Sequence, residues 1–149
     1  MMKRYGCAIK VVLLAVGTGA GCGGDDEEPL SKAEYIKQGD AICKKSDAEL
    51  EKQAEEMFPD LGQDEQPSEE QLKTFVEDAF SSNAEQRLDD LRDLPAPEGD
   101  EETLDGIYDG FDEAVSKVED DPGILLTGDD PFEAPSKKAE DYGFKECGS

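Results

Sequence analysis

Apolar residues recur at helical spacing in several stretches of the chain, and polar segments rich in proline and glycine separate these stretches. The first stretch begins at Ser31, where a capping box with Glu34 marks a helix N-terminus, and it ends before Pro59. Its apolar face repeats every seven residues, at Ile36, Cys43, Leu50 and Met57. This spacing puts the four side chains on one side of a helix.

Two further amphipathic helices are predicted downstream. A second capping box starts at Ser68 and opens the clearest apolar pattern in the chain, which continues to Leu91 and stops before a Pro-Ala-Pro segment. A third pattern opens at Asp100 and runs to Val118. Both follow the i, i+3, i+4, i+7 spacing that one buried helix face requires.

The C-terminal part predicts one short helix. The apolar run 124–126 is too brief for a strand, and we expect it to pack under the other helices. The last helix starts near Asp130, or nearer Ser136 beyond an awkward proline. It ends at Gly143, in a left-handed conformation, with Phe144 folding back on the helix.

The predicted fold class is therefore all-α. No segment alternates polar and apolar residues as a strand would. We expect one domain over residues 31–149, a small antiparallel bundle of three long helices and a short C-terminal helix. With 36% hydrophobic residues and no tryptophan, its core should be thin.

Residues 1–21 have the order of an export signal. Lys3, Arg4 and Lys10 precede an apolar run that ends at Cys22, and an acidic segment follows. The run is shorter than the roughly 20 apolar residues that a membrane-spanning helix needs. A conventional secretory signal, cleaved near Ala20 and leaving a free thiol at Cys22, is one alternative.

The segment ending at Cys22 resembles the lipobox of bacterial lipoproteins. The resemblance implies a signal peptide over 1–21, a lipid on Cys22 and an acidic tether over 22–30. With the early helix carrying Cys43, the segment Leu91–Pro97 and the ending Tyr142–Cys147, the chain is similar to small helical exported lipoproteins of actinobacteria. That resemblance implies attachment to the cell membrane through the lipid, on the side facing away from the cytoplasm. It implies no activity.

The number of cysteines that then remain predicts one disulfide. Of the four cysteines, Cys7 leaves with the signal and Cys22 carries the lipid. Cys43 and Cys147 remain, in a compartment that favours disulfides, so we expect them to pair. The alternative is a buried free thiol at position 43 and a loose one at 147. Two isolated cysteines without any histidine do not predict a metal site.

Charge and composition exclude several function classes. The chain has 15 basic and 39 acidic residues, a formal net charge of −24, and so repels nucleic acid and anionic lipid headgroups. We therefore expect no nucleic-acid partner; the acidity fits a solvated surface or a saline habitat. The absence of histidine removes Ser–His and Cys–His catalysis. We predict no catalytic residue, no cofactor and no enzyme activity.

Three functions are compatible with these observations, and we rank a non-enzymatic protein that binds a protein or other component of the cell envelope first. The alternative is a lipoprotein that binds a small molecule or a divalent cation, for which an inter-helix cavity is expected. Asp105–Glu113 fails as an EF-hand loop because Ile107 stands at a ligand position. Thr127–Asp130 suits a weak cation contact, although a helix cap explains it better. A hydrolase using paired acids ranks last.

Overall fold

Helices are the regular structure throughout the part of the chain that the computed structural model describes, residues 28–61 and 66–148. In chain order they are α1 (Lys32–Met57), α2 (Glu69–Phe75), a π-helical turn (Val76–Phe80), α3 (Ser81–Arg92), α4 (Glu101–Asp120), α5 (Ile124–Thr127) and α6 (Glu133–Tyr142). No strand occurs among these residues, so the predicted all-α class is confirmed. Residues 1–27, with Cys22 and the predicted signal, lie outside the described part.

Helix α1 begins where its capping residue predicts. The Ser31 Oγ accepts a hydrogen bond from the Glu34 N–H at 3.3 Å, and the Ser31 hydroxyl donates to the Glu34 carboxylate at 2.6 Å. Its buried residues recur at intervals of three or four, at Tyr35, Gly39, Cys43 and Ser46. This narrow face packs mainly on α3, while charged residues cover the rest of the helix.

The second predicted helix differs from expectation in its middle. Its capping box is present: Ser68 and Gln71 each bond the other's backbone N–H. A π-helical turn then separates α2 from α3, although the backbone stays in the right-handed helical region at Phe75, Phe80 and Ser81. A π turn keeps the axis continuous but shifts the register of the side chains. Apolar periodicity alone does not reveal such a shift.

Helix α4 has the strongest apolar face and packs mainly against α6. Its buried residues follow the predicted spacing, at Leu104, Ile107, Tyr108, Ala114, Val115 and Val118. Glu101 and Glu102 occupy the first turn, where the helix dipole favours negative charge. The α4 face therefore supplies much of the core between α1, α3 and α6.

Two C-terminal expectations are corrected. The run 124–126 forms the short helix α5, but Leu125 and Leu126 are 39% and 36% exposed rather than packed under the bundle. A single helical turn ended by Gly128, at φ 83°, is too short to turn all three side chains inward. Helix α6 begins at Glu133, between the two predicted starts, because Pro135 fits a first turn whose N–H groups have no helical acceptor.

The C-terminal tail is fixed to α1. Gly143 has φ 127°, and the N–H groups of Gly143 and Phe144 both donate to the Ala139 carbonyl. Cys147 forms the predicted disulfide with Cys43, and their Cα atoms lie 5.2 Å apart. The Asp40 carboxylate accepts the N–H groups of residues 145 and 146 at 2.9 and 3.0 Å.

A tyrosine cluster, formed by Tyr35, Tyr108, Tyr142 and Phe144, joins these elements on one side of the core. The Tyr35 and Tyr108 hydroxyl oxygens are 2.7 Å apart, and the Tyr35 hydroxyl donates to the Leu91 carbonyl at 3.3 Å. The Tyr142 hydroxyl donates to the Asp100 carboxylate at 2.8 Å. Each phenol therefore buries its ring and keeps a hydrogen-bond partner, as buried tyrosines require.

Candidate ligand cavity

A cavity of about 230 Å³ lies between α1, the π turn, α3, α4 and α6, beside the tyrosine cluster. Most of its lining is aliphatic or aromatic. The aliphatic part comes from Leu50, Ala84, Leu88, Leu91, Ile107, Val115 and Ala139. Packed interiors contain few voids larger than a water molecule, so an opening of this size is a distinct feature of the fold.

Three phenylalanine rings form one wall of the cavity. Phe80 ends the π turn, Phe111 lies on α4 and Phe132 precedes α6. The Phe80 and Phe132 ring centroids are 6.0 Å apart in an edge-to-face arrangement, and Phe111 stacks on Phe132 at 6.5 Å. Phenylalanine has no polar group to satisfy, so this wall presents apolar and quadrupolar surface only.

The disulfide and the C-terminal tail form another part of the lining. Cys43, Phe144 and Cys147 line the cavity, and Phe144 is only 3% exposed. Phe144 packs closely over Gly39, where an added Cβ would lie 2.5 Å from its ring. The shape of the cavity therefore depends on the disulfide that holds this tail against α1.

Asp47 and Arg87 are the charged residues of the lining. The Arg87 Nη1 donates to the Asp47 Oδ1 at 2.8 Å, and the side chains are 22% and 47% exposed, respectively. Partial burial raises the pKa of Asp47, the Arg87 guanidinium opposes this rise, and the negative charge of Glu146 adds to it. These exposed fractions place the ion pair at the mouth of the cavity.

Two further polar side chains line the cavity. Asn83 is held by Ser46: the Ser46 hydroxyl donates to its Oδ1 at 2.6 Å, and its Nδ2 donates to the Ser46 carbonyl at 3.2 Å. Ser136 lies in the first part of α6. No buried side-chain nitrogen or oxygen within the described residues lacks a hydrogen-bond partner. The polar groups of the lining are therefore either satisfied or open to solvent.

The residues singled out from the sequence have different positions in this arrangement. Cys43 and Cys147 meet and line the cavity, whereas Cys22 lies outside the described residues. Phe80, Tyr108 and Phe111, which lie within the second and third apolar patterns of the sequence, line the cavity as well. Phe75, also within the second pattern, instead contacts Phe58, with the ring centroids 6.2 Å apart. The apolar pattern therefore locates most of the rings without revealing the space between them.

Sequence reasoning missed Asp47, Arg87 and Phe132 as cavity residues. Asp47 and Arg87 are 40 positions apart, and only the packing of α1 on α3 brings them together. In a chain with 39 acidic residues, one aspartate carries no distinguishing signal. Phe132 lies between two elements, outside any periodic pattern, so its place in the wall is visible only in three dimensions.

The acidic segments considered for cations make local contacts. The Asp130 carboxylate accepts the Phe132 N–H at 2.8 Å, and the Thr127 Oγ1 accepts the Asp129 N–H at 3.4 Å. Asp109 and Asp112 pair with Arg92. Within the described ranges, no group of three or more metal-ligating side chains is placed to hold a metal ion.

The structure also bears on the other two functions considered, an acid-pair hydrolase and a protein that binds an envelope partner. None of the described aspartate or glutamate residues is fully buried. The large apolar side chains exposed in the described part are Leu125 and Leu126. None of the described helices has the length and apolar character needed to cross a membrane.

Comparisons with known proteins identified no relative of this chain. No protein-family model matches the chain, no curated protein sequence matches it significantly, and no solved structure matches it significantly. The cavity and its lining are therefore the features of the molecule that bear on its function.

Proposed function

We propose that this protein is a lipid-anchored extracytoplasmic binding protein whose helical domain holds a small, largely apolar molecule in the cavity between its helices. The cavity of about 230 Å³ is the observation that carries the proposal. A dry apolar cavity of roughly 150 Å³ accommodates benzene. This larger space suits one or two fused rings, or a short branched hydrocarbon group.

The proposed bundle is antiparallel at its central helix pair. Tyr35 near the start of α1 contacts Leu91 near the end of α3, while Ser46 contacts Asn83 nearer the start of α3. The order of contacts therefore runs in opposite directions along the two helices. A bundle of this type can host a ligand between facing helices.

The proposed anchor follows from the sequence around Cys22. The tether 22–30 would connect the lipid to the domain at Leu30, whose N–H donates to the Pro95 carbonyl at 3.2 Å and whose side chain packs on the core. The tether then reaches no more than about 30 Å, at roughly 3.3 Å per residue. A ligand would accordingly be bound close to the membrane surface.

A function centred on a protein partner has weaker support. Leu125 and Leu126 are partly exposed and adjacent, but two such side chains present less apolar surface than the patches of roughly 300–600 Å² found on typical monomers. The cavity, in contrast, exceeds what a packed interior ordinarily leaves open. We therefore rank small-molecule binding above partner binding.

The test is a cavity-filling substitution. Ala84→Leu adds a branched side chain to the lining, and Ala48→Leu makes the same change on the exposed side of α1. We expect the full chain and Ala48→Leu to bind indole, and Ala84→Leu to lose at least tenfold in affinity. Because the chain has no tryptophan, indole fluorescence can be excited selectively and its anisotropy measured.

The thermal melt of each variant provides the control for folding. Ala84→Leu should melt within a few degrees of the parent, since filling a cavity offsets the cost of crowding. Binding of indole should raise the melting temperature of the parent and of Ala48→Leu only. Equal indole binding by all three proteins, or by none of them, would contradict the proposed site.

A further inference from the structure

We propose that the ligand of this cavity is an uncharged molecule with an apolar body and a polar head, and that the head lies between Asn83 and Ser136. The head carries both a hydrogen-bond donor and an acceptor. The inference rests on the proposed function and names the chemical class of the ligand. Three observations carry it: the position of these two side chains, the hydrogen-bonding capacity that each keeps, and the charge balance of the lining.

Helices α3 and α6 flank the cavity and run in the same direction. Their C-terminal ends both reach Tyr35: its hydroxyl donates to the Leu91 carbonyl of α3, and its ring lies 6.5 Å from that of Tyr142 on α6. Their N-terminal ends also meet, because Phe80 immediately before α3 contacts Phe132 immediately before α6, with ring centroids 6.0 Å apart.

Asn83 and Ser136 therefore lie at the same level of the cavity. Asn83 follows Phe80 by three positions, and Ser136 follows Phe132 by four. Each is about one helical turn beyond the contact between the two rings, on its own helix. Both residues line the cavity, so a ligand between the helices has an amide on one side and a hydroxyl on the other.

Both side chains keep hydrogen-bonding capacity for a ligand. The Asn83 Oδ1 accepts from the Ser46 hydroxyl at 2.6 Å, and its Nδ2 donates to the Ser46 carbonyl at 3.2 Å. An amide has two N–H donors and two acceptor positions, so one of each remains. The Ser136 hydroxyl makes no hydrogen bond to another described residue. Because Ser46 already fixes the Asn83 amide, binding requires little further ordering of that side chain.

The charges of the lining favour an uncharged head. Asp47 and Arg87 are the charged side chains of the lining that the described residues form, and they are bonded to each other at 2.8 Å. The pair as a whole is neutral and favours neither a cation nor an anion. A charged head would lose hydration on entering the cavity without gaining an unpaired opposite charge, which costs more than transferring a neutral group that forms hydrogen bonds.

A ligand without any polar head is also disfavoured at this level. It would cover Asn83 and Ser136 and exclude water from them without offering hydrogen bonds in exchange. A polar group left unpaired in this way costs free energy, whereas a head with a donor and an acceptor satisfies both side chains. Alcohols and primary amides have this combination of groups.

The experiment compares four probes that share an indole ring: indole, indole-3-acetamide, the anion indole-3-acetate and the cation tryptamine. The acetamide and the acetate have nearly the same shape and differ in charge. With the full chain, we expect the acetamide to bind roughly three- to tenfold more tightly than indole, and both charged probes to bind more weakly than the acetamide. Salt at about 0.15 M screens distant charges, and fluorescence anisotropy gives the affinities without interference from tryptophan.

Ser136→Ala tests one side of the proposed head site, and Ser82→Ala is its matched control. Ser82 lies on α3, is exposed and is not part of the lining. Since the Ser136 hydroxyl has no partner among the described residues, its removal should leave the melting temperature within a few degrees of the parent. We expect Ser136→Ala to lower the ratio of acetamide to indole affinity roughly threefold, and Ser82→Ala to leave this ratio unchanged.

Asn83→Ala tests the other side, with Gln86→Ala as its control. Gln86 lies one turn later on α3, is exposed and does not line the cavity. Asn83→Ala removes the partner of Ser46, which is only 7% exposed, so this variant should melt at a lower temperature. Measured below that temperature, its ratio of acetamide to indole affinity should also fall roughly threefold, whereas Gln86→Ala should keep the ratio of the parent.

The outcomes separate this inference from the proposed function. If Ala84→Leu blocks indole but the acetamide gains nothing over indole, the assignment of a polar head fails and the proposed function stands. Tighter binding of tryptamine or indole-3-acetate than of the acetamide overturns the uncharged class. A preference for the acetamide that persists in Ser136→Ala contradicts the position assigned to the head, and this variant decides if Asn83→Ala does not fold. If no probe binds, the proposed function itself fails.

Discussion

The two sides of the interior are both rich in aromatic rings, yet one is filled and the other is open. In the tyrosine cluster, Tyr35 and Tyr108 are 1% and 2% exposed and their hydroxyls meet at 2.7 Å. Around the cavity, the Phe132 ring contacts the rings of Phe80 and Phe111, and about 230 Å³ stays open between the helices. Tyr108 and Phe144 belong to both regions.

The difference lies in the directional demand of a hydroxyl group. A buried phenol needs a partner at hydrogen-bond distance, so each tyrosine fixes the position of another element: Leu91 of α3 for Tyr35, and Asp100 before α4 for Tyr142. Phenylalanine makes no such demand and can line a space without closing it. The tyrosine hydrogen bonds therefore fix the positions of neighbouring elements, whereas the phenylalanine rings line the cavity without such a constraint.

The C-terminal tail contributes to both regions, so releasing it should have the largest effect. The double variant Cys43→Ala, Cys147→Ala removes a link across 104 positions. We expect a loss of about 2–4 kcal/mol in the free energy of unfolding, because the unfolded chain regains the conformations that the link excludes. Chemical denaturation measures this loss, and indole affinity should fall as well, since Phe144 and Cys147 form a cavity wall.

Reduction provides the control for the disulfide prediction. A reducing agent should destabilise the parent to about the level of the double variant and leave the double variant unchanged. If the variant unfolds at the same denaturant concentration as the parent, then Asp40 and the packing of Phe144 are enough to hold the tail. The shared wall would in that case not depend on the disulfide.

Much of this architecture is predictable because it depends on short segments of the sequence. Ser31, Ser68 and Gly143 mark helix ends through backbone groups within a few residues, and the structure places those ends where they indicate. The disulfide follows from the small number of cysteines. The start of α6 and the exposure of Leu125 and Leu126 are less predictable, because the apolar pattern reveals neither that Pro135 lies within the first turn of α6 nor that α5 is a single turn.

The candidate site could not be predicted from local sequence. The Asp47–Arg87 pair spans 40 positions, and the π turn that ends at Phe80 leaves no mark in the apolar pattern. A cavity forms where side chains from several helices do not fill the space between them. It can be expected in general terms for a helical bundle, but its lining depends on the register between the helices.

The stability of the folded protein at alkaline pH should depend on the tyrosine cluster. Burial is the main cause that raises the pKa of Tyr35, Tyr108 and Tyr142 above the ordinary value of 10.0. The unfolded chain loses these phenolic protons near pH 10 while the folded chain keeps them, so unfolding releases protons and stability falls as the pH rises above about 10. The free energy of unfolding, measured between pH 8 and about pH 11, should decrease steadily over the upper part of this range.

Absorbance of phenolate at 295 nm checks the assignment. These three tyrosines should ionise together with unfolding rather than at their ordinary pKa. The triple variant with phenylalanine at the three positions should have a flatter pH dependence, even if it is less stable overall. Ionisation of three phenols near pH 10 in a chain that remains folded would show that the cluster is open to solvent.

The smallest predicted effect tests the direction of the hydrogen bonds within the cluster. Because the single hydroxyl proton of Tyr35 is donated to Leu91, Tyr108 must donate to Tyr35. Tyr35→Phe then leaves a buried donor on Tyr108 without a partner and should cost about 2 kcal/mol, whereas Tyr108→Phe removes the donor itself and should cost about 1 kcal/mol. Equal losses, or the reverse order, would contradict this donor assignment.

Tyr35→Phe should also leave indole affinity unchanged in the folded protein, since Tyr35 is not part of the cavity lining. Stability lost without affinity lost would show that the hydroxyl network sets how firmly the helices are held, while the phenylalanine wall sets what they can bind.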